Sequence, residues 1–113
     1  MISLSRRGIL PTKNWTLGTF EGAEAITGST IARTVLRRRG TCATCGLVTC
    51  HRHIEIKESP FGSIKLRGLE YETLAALGSL CMVDDLAAIA KANELCDTLG
   101  LDTISTGSVI AWA

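Results

Sequence analysis

The sequence predicts a mainly α fold: helices in its C-terminal part, preceded by a cysteine loop and a short β-hairpin. From Glu70 onward, apolar residues recur at helical spacing. Just before them, two segments alternate polar and apolar residues on either side of a Pro-Gly turn. Cys42, Cys45 and Cys50 crowd one short stretch and mark the loop.

The 113 residues fit one domain with a real core, and 46% hydrophobic content argues against disorder. It reads as a single partial domain in three stretches: 1–40 a lead-in loop and helix, 41–69 the cysteine loop and hairpin, 70–113 the helices. Only 4% of residues are aromatic, so the core is expected to be aliphatic.

Residues 1–20, with Pro11 and scattered glycine and asparagine, read as loop or extended chain with Trp15 or Phe20 as a buried anchor. Thr27-Gly28-Ser29-Thr30 offers caps for a helix through Ile31, Val35 and Leu36 that ends near Gly40. On that reading Arg37, Arg38 and Arg39 are cations at a helix C-terminus, where the dipole suits them. His53–Lys57 and Ser63–Arg67 form the hairpin around Ser59-Pro60-Phe61-Gly62.

Asp84 is the expected N-cap of a helix through Leu99, with Leu86, Ile89, Ala90, Asn93 and Cys96 on one stripe. Gly100 can close that helix in left-handed geometry, and Asp102 can cap the next, through Ile104, Val109, Ile110 and Trp112. The last helix carries no terminator, and its apolar end is expected to want a covering surface.

A formal charge of +1 provides no field that would make nucleic acid or a membrane surface the main partner. No apolar run reaches the roughly 18 residues of a membrane span, and a cytoplasmic location is expected. Five cysteines, three of them clustered, suit metal thiolates in a reducing compartment better than disulfides.

Spacing alone leaves two metals open for Cys42, Cys45 and Cys50. One is an iron-sulfur cluster, which wants four thiolates. The other is zinc, with His51 or His53 completing a tetrahedron in a small non-catalytic binding module. Arg52 is either an electrostatic partner for an anionic cluster or a solvated strand residue, while Cys81 and Cys96 fall on apolar helix faces and read as packing.

Asp97 and Asp102 flank Gly100-Leu101, where a missing side chain lets a flat ligand approach the backbone. Ionised carboxylates there can accept hydrogen bonds from ring N-H and amino groups. Taken alone, such aspartates are also ordinary helix-end residues. Glu72 likewise reads alone as a first-turn helix acid.

The wording from Tyr71-Glu72-Thr73-Leu74-Ala75-Ala76-Leu77-Gly78 through Asp84-Asp85-Leu86 to Asp97-Thr98-Leu99-Gly100-Leu101-Asp102 resembles the tungsten-dependent aldehyde ferredoxin oxidoreductases. The likeness begins at Leu10-Pro11-Thr12-Lys13-Asn14-Trp15 and covers nearly the whole chain. It implies an internal fragment of a longer enzyme that oxidises aldehydes to carboxylates and passes electrons to ferredoxin. A companion chain would supply the missing domains, and the piece alone is expected to be inactive.

The resemblance also implies cofactors and roles. Cys42, Cys45 and Cys50 would ligate a 4Fe-4S cluster whose fourth cysteine lies elsewhere, which favours iron-sulfur over zinc. Asp97, Gly100, Leu101 and Asp102 would form one of two loops holding a tungsten bis-pterin of the molybdopterin type, and Glu72 would be an acid near the tungsten. The family's common pattern has three residues between the second and third cysteines, with proline after the second; here Gly46-Leu47-Val48-Thr49 is one longer and lacks that proline.

Overall fold

The computed structural model describes residues 1–41, 46, 48–49 and 51–113. The expected cysteine loop, with Cys42, Cys45 and Cys50, lies outside the described residues. Among the described residues, five α-helices, two short 3-10 turns and three strands follow in chain order.

The first departure from expectation comes at once: α1 (Ile2–Arg6) is a short helix where extended chain was expected. Ser5 ties it to Phe20, whose backbone N-H donates to Ser5 Oγ at 3.0 Å. Phe20 is the buried aromatic anchor at 8% exposure, and Trp15 stands outward at 70%. Between them Lys13, Asn14 and Trp15 all have positive φ, at 47, 48 and 65°. Left-handed backbone costs a non-glycine residue about 1–2 kcal/mol. Fixed partners hold the turn: Lys13 N-H donates to Ser79 O (3.1 Å), Asn14 N-H to Leu80 O (3.0 Å) and Leu17 N-H to Thr12 O (3.1 Å).

Helix α2 (Gly28–Thr34) starts as expected, with Thr27 Oγ1 accepting from Thr30 N-H at 3.1 Å. It stops six residues before Gly40. Leu36–Gly40 is instead β1, paired antiparallel with β2 (His51–Ile56), so Arg37, Arg38 and Arg39 lie on a strand and not at a helix end. Arginine is a good helix former, and pairing with β2 overrides that weak preference. β3 (Ile64–Arg67) completes a sheet of order β1-β2-β3. The β2–β3 hairpin is the expected one, its turn closed by Gly62 N-H to Ser59 O (3.0 Å) with Gly62 at φ 83°.

The helical half matches the sequence closely. α3 spans Tyr71–Leu77, α4 Leu86–Leu99 and α5 Thr103–Trp112. α4 buries Ile89, Ala90, Asn93 and Cys96, and Gly100 ends it at φ 69°. Its N-cap is Asp85, not Asp84: Asp85 Oδ1 accepts from Ala87 N-H (2.8 Å) and Ala88 N-H (3.2 Å). Asp84 is one position too early to reach those amides, and packs beside Gly22.

Sheet and helices close over an aliphatic core. Ile54 and Ile64 from the inner sheet face meet Ile31, Leu69, Leu74, Leu77 and Ile89. Full burial of one such side chain contributes about 1.5–3 kcal/mol. Phe20 is the single aromatic residue in this cluster among the described residues.

Candidate cofactor-facing site

Helices α3 and α5 lie side by side and point the same way. Thr73 Oγ1 and Thr103 Oγ1 are 2.9 Å apart in their first turns, and one turn further on Gly107 meets Ala76. This arrangement brings the first-turn acid Glu72 and the N-cap acid Asp102 to one end of the helix pair, the end at which the α4–α5 turn carries Asp97, Gly100 and Leu101.

Both aspartates of that turn are exposed, and both are held. Asp97 Oδ2 accepts from Asn93 Nδ2 at 3.0 Å, and Asn93 is itself 4% exposed, beside Gly68. Asp97 Oδ1 has no hydrogen-bond partner among the described residues. Asp102 Oδ2 accepts from Ser105 N-H at 2.7 Å. That backbone bond is the main reason its carboxyl sits below the ordinary 3.8, so Asp102 is ionised at neutral pH. Gly100 and Leu101 between them are exposed too.

Glu72 borders a cleft of about 180 Å³ walled by Pro11, Trp15, Tyr71, Leu80, Ile104 and Ser108. Burial, and then the Glu72 carboxylate, raise the Tyr71 phenol above its ordinary value. The cleft is apolar apart from Glu72, the Tyr71 hydroxyl and Ser108, so a carboxylate stands at the rim of a greasy slot.

Of the other residues read from the sequence, Arg52 has a definite job. Its Nη1 donates to Leu69 O at 3.1 Å, pinning the β3–α3 connection where Leu69 takes φ 58°. Nothing in the residue pattern signals that role. His53 lies on the outer sheet face, 3.4 Å from Arg38 Nη2. Desolvation, and then Arg38, Arg67 and His51, hold its imidazole below the ordinary range and thus neutral at pH 7. Cys96 is buried, and Cys81 Sγ donates to Ala76 O and Gly107 O, so both pack as read. Sequence reasoning placed Asn93 on the buried stripe but missed its grip on Asp97. The i, i+4 spacing of the two residues was the available signal.

Among the described residues, no group of three or more His, Cys, Asp or Glu side chains is placed to hold a metal ion. The strand ends flanking the cysteine segment are described. Gly40 and His51 are cross-strand partners, and Arg67 Nη2 donates to Thr41 O at 3.4 Å. The donor chemistry of the α4–α5 turn fits the edge of a pterin: exposed carboxylate acceptors, one of them held toward its ionised form by a backbone N-H, around a residue without a side chain.

Fold and site together define a mainly helical domain with a small antiparallel sheet and acids gathered at one end of a helix pair. The particular assignment comes from comparison. All of residues 1–113 match the family described as aldehyde ferredoxin oxidoreductase, domains 2 and 3, and the chain belongs to that family. It is 37% identical over 110 residues to the tungsten-containing aldehyde ferredoxin oxidoreductase of Thermococcus kodakarensis, and equally so to that of Pyrococcus furiosus. The enzyme of the same name from Pyrococcus abyssi is 37% identical over 111 residues. Each match covers 97% of this chain and 17% of the relative, so the chain spans about a sixth of the length of these curated relatives.

Proposed function

We propose that these residues work as part of a tungsten- and pterin-dependent enzyme that oxidises aldehydes to carboxylates and passes the electrons to ferredoxin. The carrying observation is the α4–α5 turn, where Asp97 and Asp102 are each anchored through one oxygen while remaining exposed. Acceptors fixed before a ligand arrives lose little freedom on binding it.

On this reading Asp97 and Asp102 accept hydrogen bonds from the N-H and amino edge of the pterin, and Gly100 and Leu101 leave room for its plane. The tungsten bis-pterin, when bound, supplies the oxygen-transfer and two-electron chemistry. An aldehyde and a water yield a carboxylate, two electrons and three protons. Glu72, at the rim of its apolar cleft, takes up and relays a proton released there. Cys42, Cys45 and Cys50 bind a 4Fe-4S cluster as thiolates, in keeping with a reducing cytoplasm.

The rest of the enzyme covers the apolar surface of the C-terminal helices, either in the same polypeptide or in a companion chain. Leu99, Leu101, Ile104, Val109, Ile110 and Trp112 are all exposed, Trp112 at 78%. A patch of that kind marks an interaction face. The 113 residues alone should therefore give no turnover.

The test uses the protein purified from its host with whatever polypeptide accompanies it. Tungsten, iron and oxidised-pterin fluorescence are measured for the wild type and for Asp97→Ala with Asp102→Ala. The proposal expects tungsten and pterin to fall together while iron stays. Unchanged tungsten and pterin, or aldehyde-dependent viologen reduction by the isolated 113 residues, would overturn it.

A further inference from the structure

The outer face of the sheet is a basic patch that neither the pterin turn nor the Glu72 cleft uses. Cross-strand pairing puts His53 opposite Arg67 and Arg38, and Glu55 opposite Lys65. Arg37 joins them through Glu55, with its Nε 3.1 Å from Glu55 Oε2 while Lys65 Nζ lies 3.1 Å from Oε1. Directly opposite residues share a face, so these side chains point away from buried Ile54 and Ile64.

Arg37 and Lys65 flank the Glu55 carboxylate and Arg38 and Arg67 flank His53, so these four cations and one carboxylate carry three net positive charges. The whole chain sums to +1, so everything else carries two net negative charges. The charge is therefore segregated. The side chains of Arg37 and Lys65 are 52% and 72% exposed, and a shallow groove of about 400 Å³ runs between the strands. Two cations share Glu55, and no salt bridge involves Arg38 or Arg67 among the described residues. Concentrated charge of one sign steers and registers a partner of the other sign.

Location narrows the partner. The face belongs to the strands whose paired ends, Gly40 and His51, enclose the cysteine-bearing segment, and Arg67 itself bonds Thr41 O at the start of that segment. Electron transfer requires a donor and an acceptor to approach closely, so charges beside a redox group suit a protein that collects electrons from it.

We propose that the outer sheet face, with Arg37 and Lys65 beside Glu55 and Arg38 and Arg67 beside His53, docks an acidic surface of a small electron-carrier protein beside the cysteine segment. This rests on the oxidoreductase reading above and names its docking surface. Contacts made mainly by exposed charges give fast, salt-sensitive association and a modest interface.

The experiment has two arms on the protein purified from its host, comparing wild type with Arg37→Glu/Arg38→Glu/Lys65→Glu. In the first, aldehyde-dependent reduction is followed with an acidic ferredoxin and with a viologen as acceptors. The triple variant should raise KM for ferredoxin about tenfold or more, as charge reversal at a steering patch does, and leave viologen reduction unchanged. In the second, binding of fluorescently labelled ferredoxin is titrated against salt; wild-type affinity should fall as ionic strength rises, and the variant should bind weakly throughout.

An equal KM for ferredoxin in wild type and variant overturns the docking site, and so does equal affinity of the wild type for a DNA duplex. A wild type that binds ferredoxin but oxidises no aldehyde leaves the docking site standing and overturns the oxidoreductase reading. Circular dichroism and the unchanged viologen rate show that the variant is folded.

Discussion

Gly107 of α5 lies directly against the backbone of Ala76 in α3: a Cβ on Gly107 would be 2.5 Å from both the carbonyl carbon and oxygen of Ala76. Real atoms do not approach so closely. The missing side chain therefore sets the spacing of the helix pair, and with it the placement of Asp102 and Ile104 near Glu72. The same contact lets the Cys81 thiol reach Gly107 O at 3.4 Å.

Replacing Gly107 with alanine should push α5 off α3. Overpacking against rigid backbone typically costs about 1–3 kcal/mol, despite the better helix propensity of alanine. Urea unfolding of Gly107→Ala should show a lower midpoint at similar slope. A midpoint equal to wild type would mean that the helices are not held this close.

Asn93 should matter more to Asp97 than its distance from any ligand suggests. Asn93→Ala removes a buried amide and frees the Asp97 carboxylate, at a stability cost of about 1–3 kcal/mol. It should also lower pterin content in the assembled enzyme. Asn93→Leu is expected to restore part of the stability and none of the pterin content, and equal recovery of both would argue that Asn93 only packs.

Asp102 offers a pH signature. Its folded carboxyl is held below its ordinary 3.8 by the Ser105 N-H, so the ionised form is the one that stabilises the fold. That contribution is complete above the unfolded value and disappears as pH falls through the folded one. The gap in urea midpoint between wild type and Asp102→Ala should be widest and flat from pH 7 down to about 5, then shrink on acidification below about 4. A gap that widens in acid would contradict the capping bond.

The helical half was legible because its signals are local. The stripe Ile89, Ala90, Asn93 and Cys96, the left-handed Gly100 and the Asp102 cap all lie within a few residues of what they control. The hairpin was legible for the same reason, from alternation and a Pro-Gly turn. β1 was not, because Arg37–Arg39 becomes a strand only through pairing with residues thirteen or more positions away. With that strand hidden, the basic sheet face could not be assembled, and the arginines read as a helix end.

Other gaps have similar causes. α1 is short and is held by Ser5 to Phe20, a contact that no periodicity announces. The left-handed run Lys13–Trp15 depends on acceptors at Ser79 and Leu80, more than sixty residues away. The grouping of Glu72 with Asp102 required the parallel lie of α3 and α5, again a property of packing. The roles of Glu72, Asp97 and Asp102 toward a cofactor came from family likeness, since each residue alone looks like an ordinary helix-end acid.

The Gly40–His51 pairing has an evolutionary consequence. A ladder that fastens both ends of an intervening stretch insulates its neighbours from changes in the stretch's length, because doubling even a flexible loop costs only about 0.6 kcal/mol. A change of one residue in the length between Cys45 and Cys50, of the kind the family resemblance implies, therefore needs no shift in strand register. Natural variation in chain length should fall between the Gly40–His51 pair and not within the paired strands themselves.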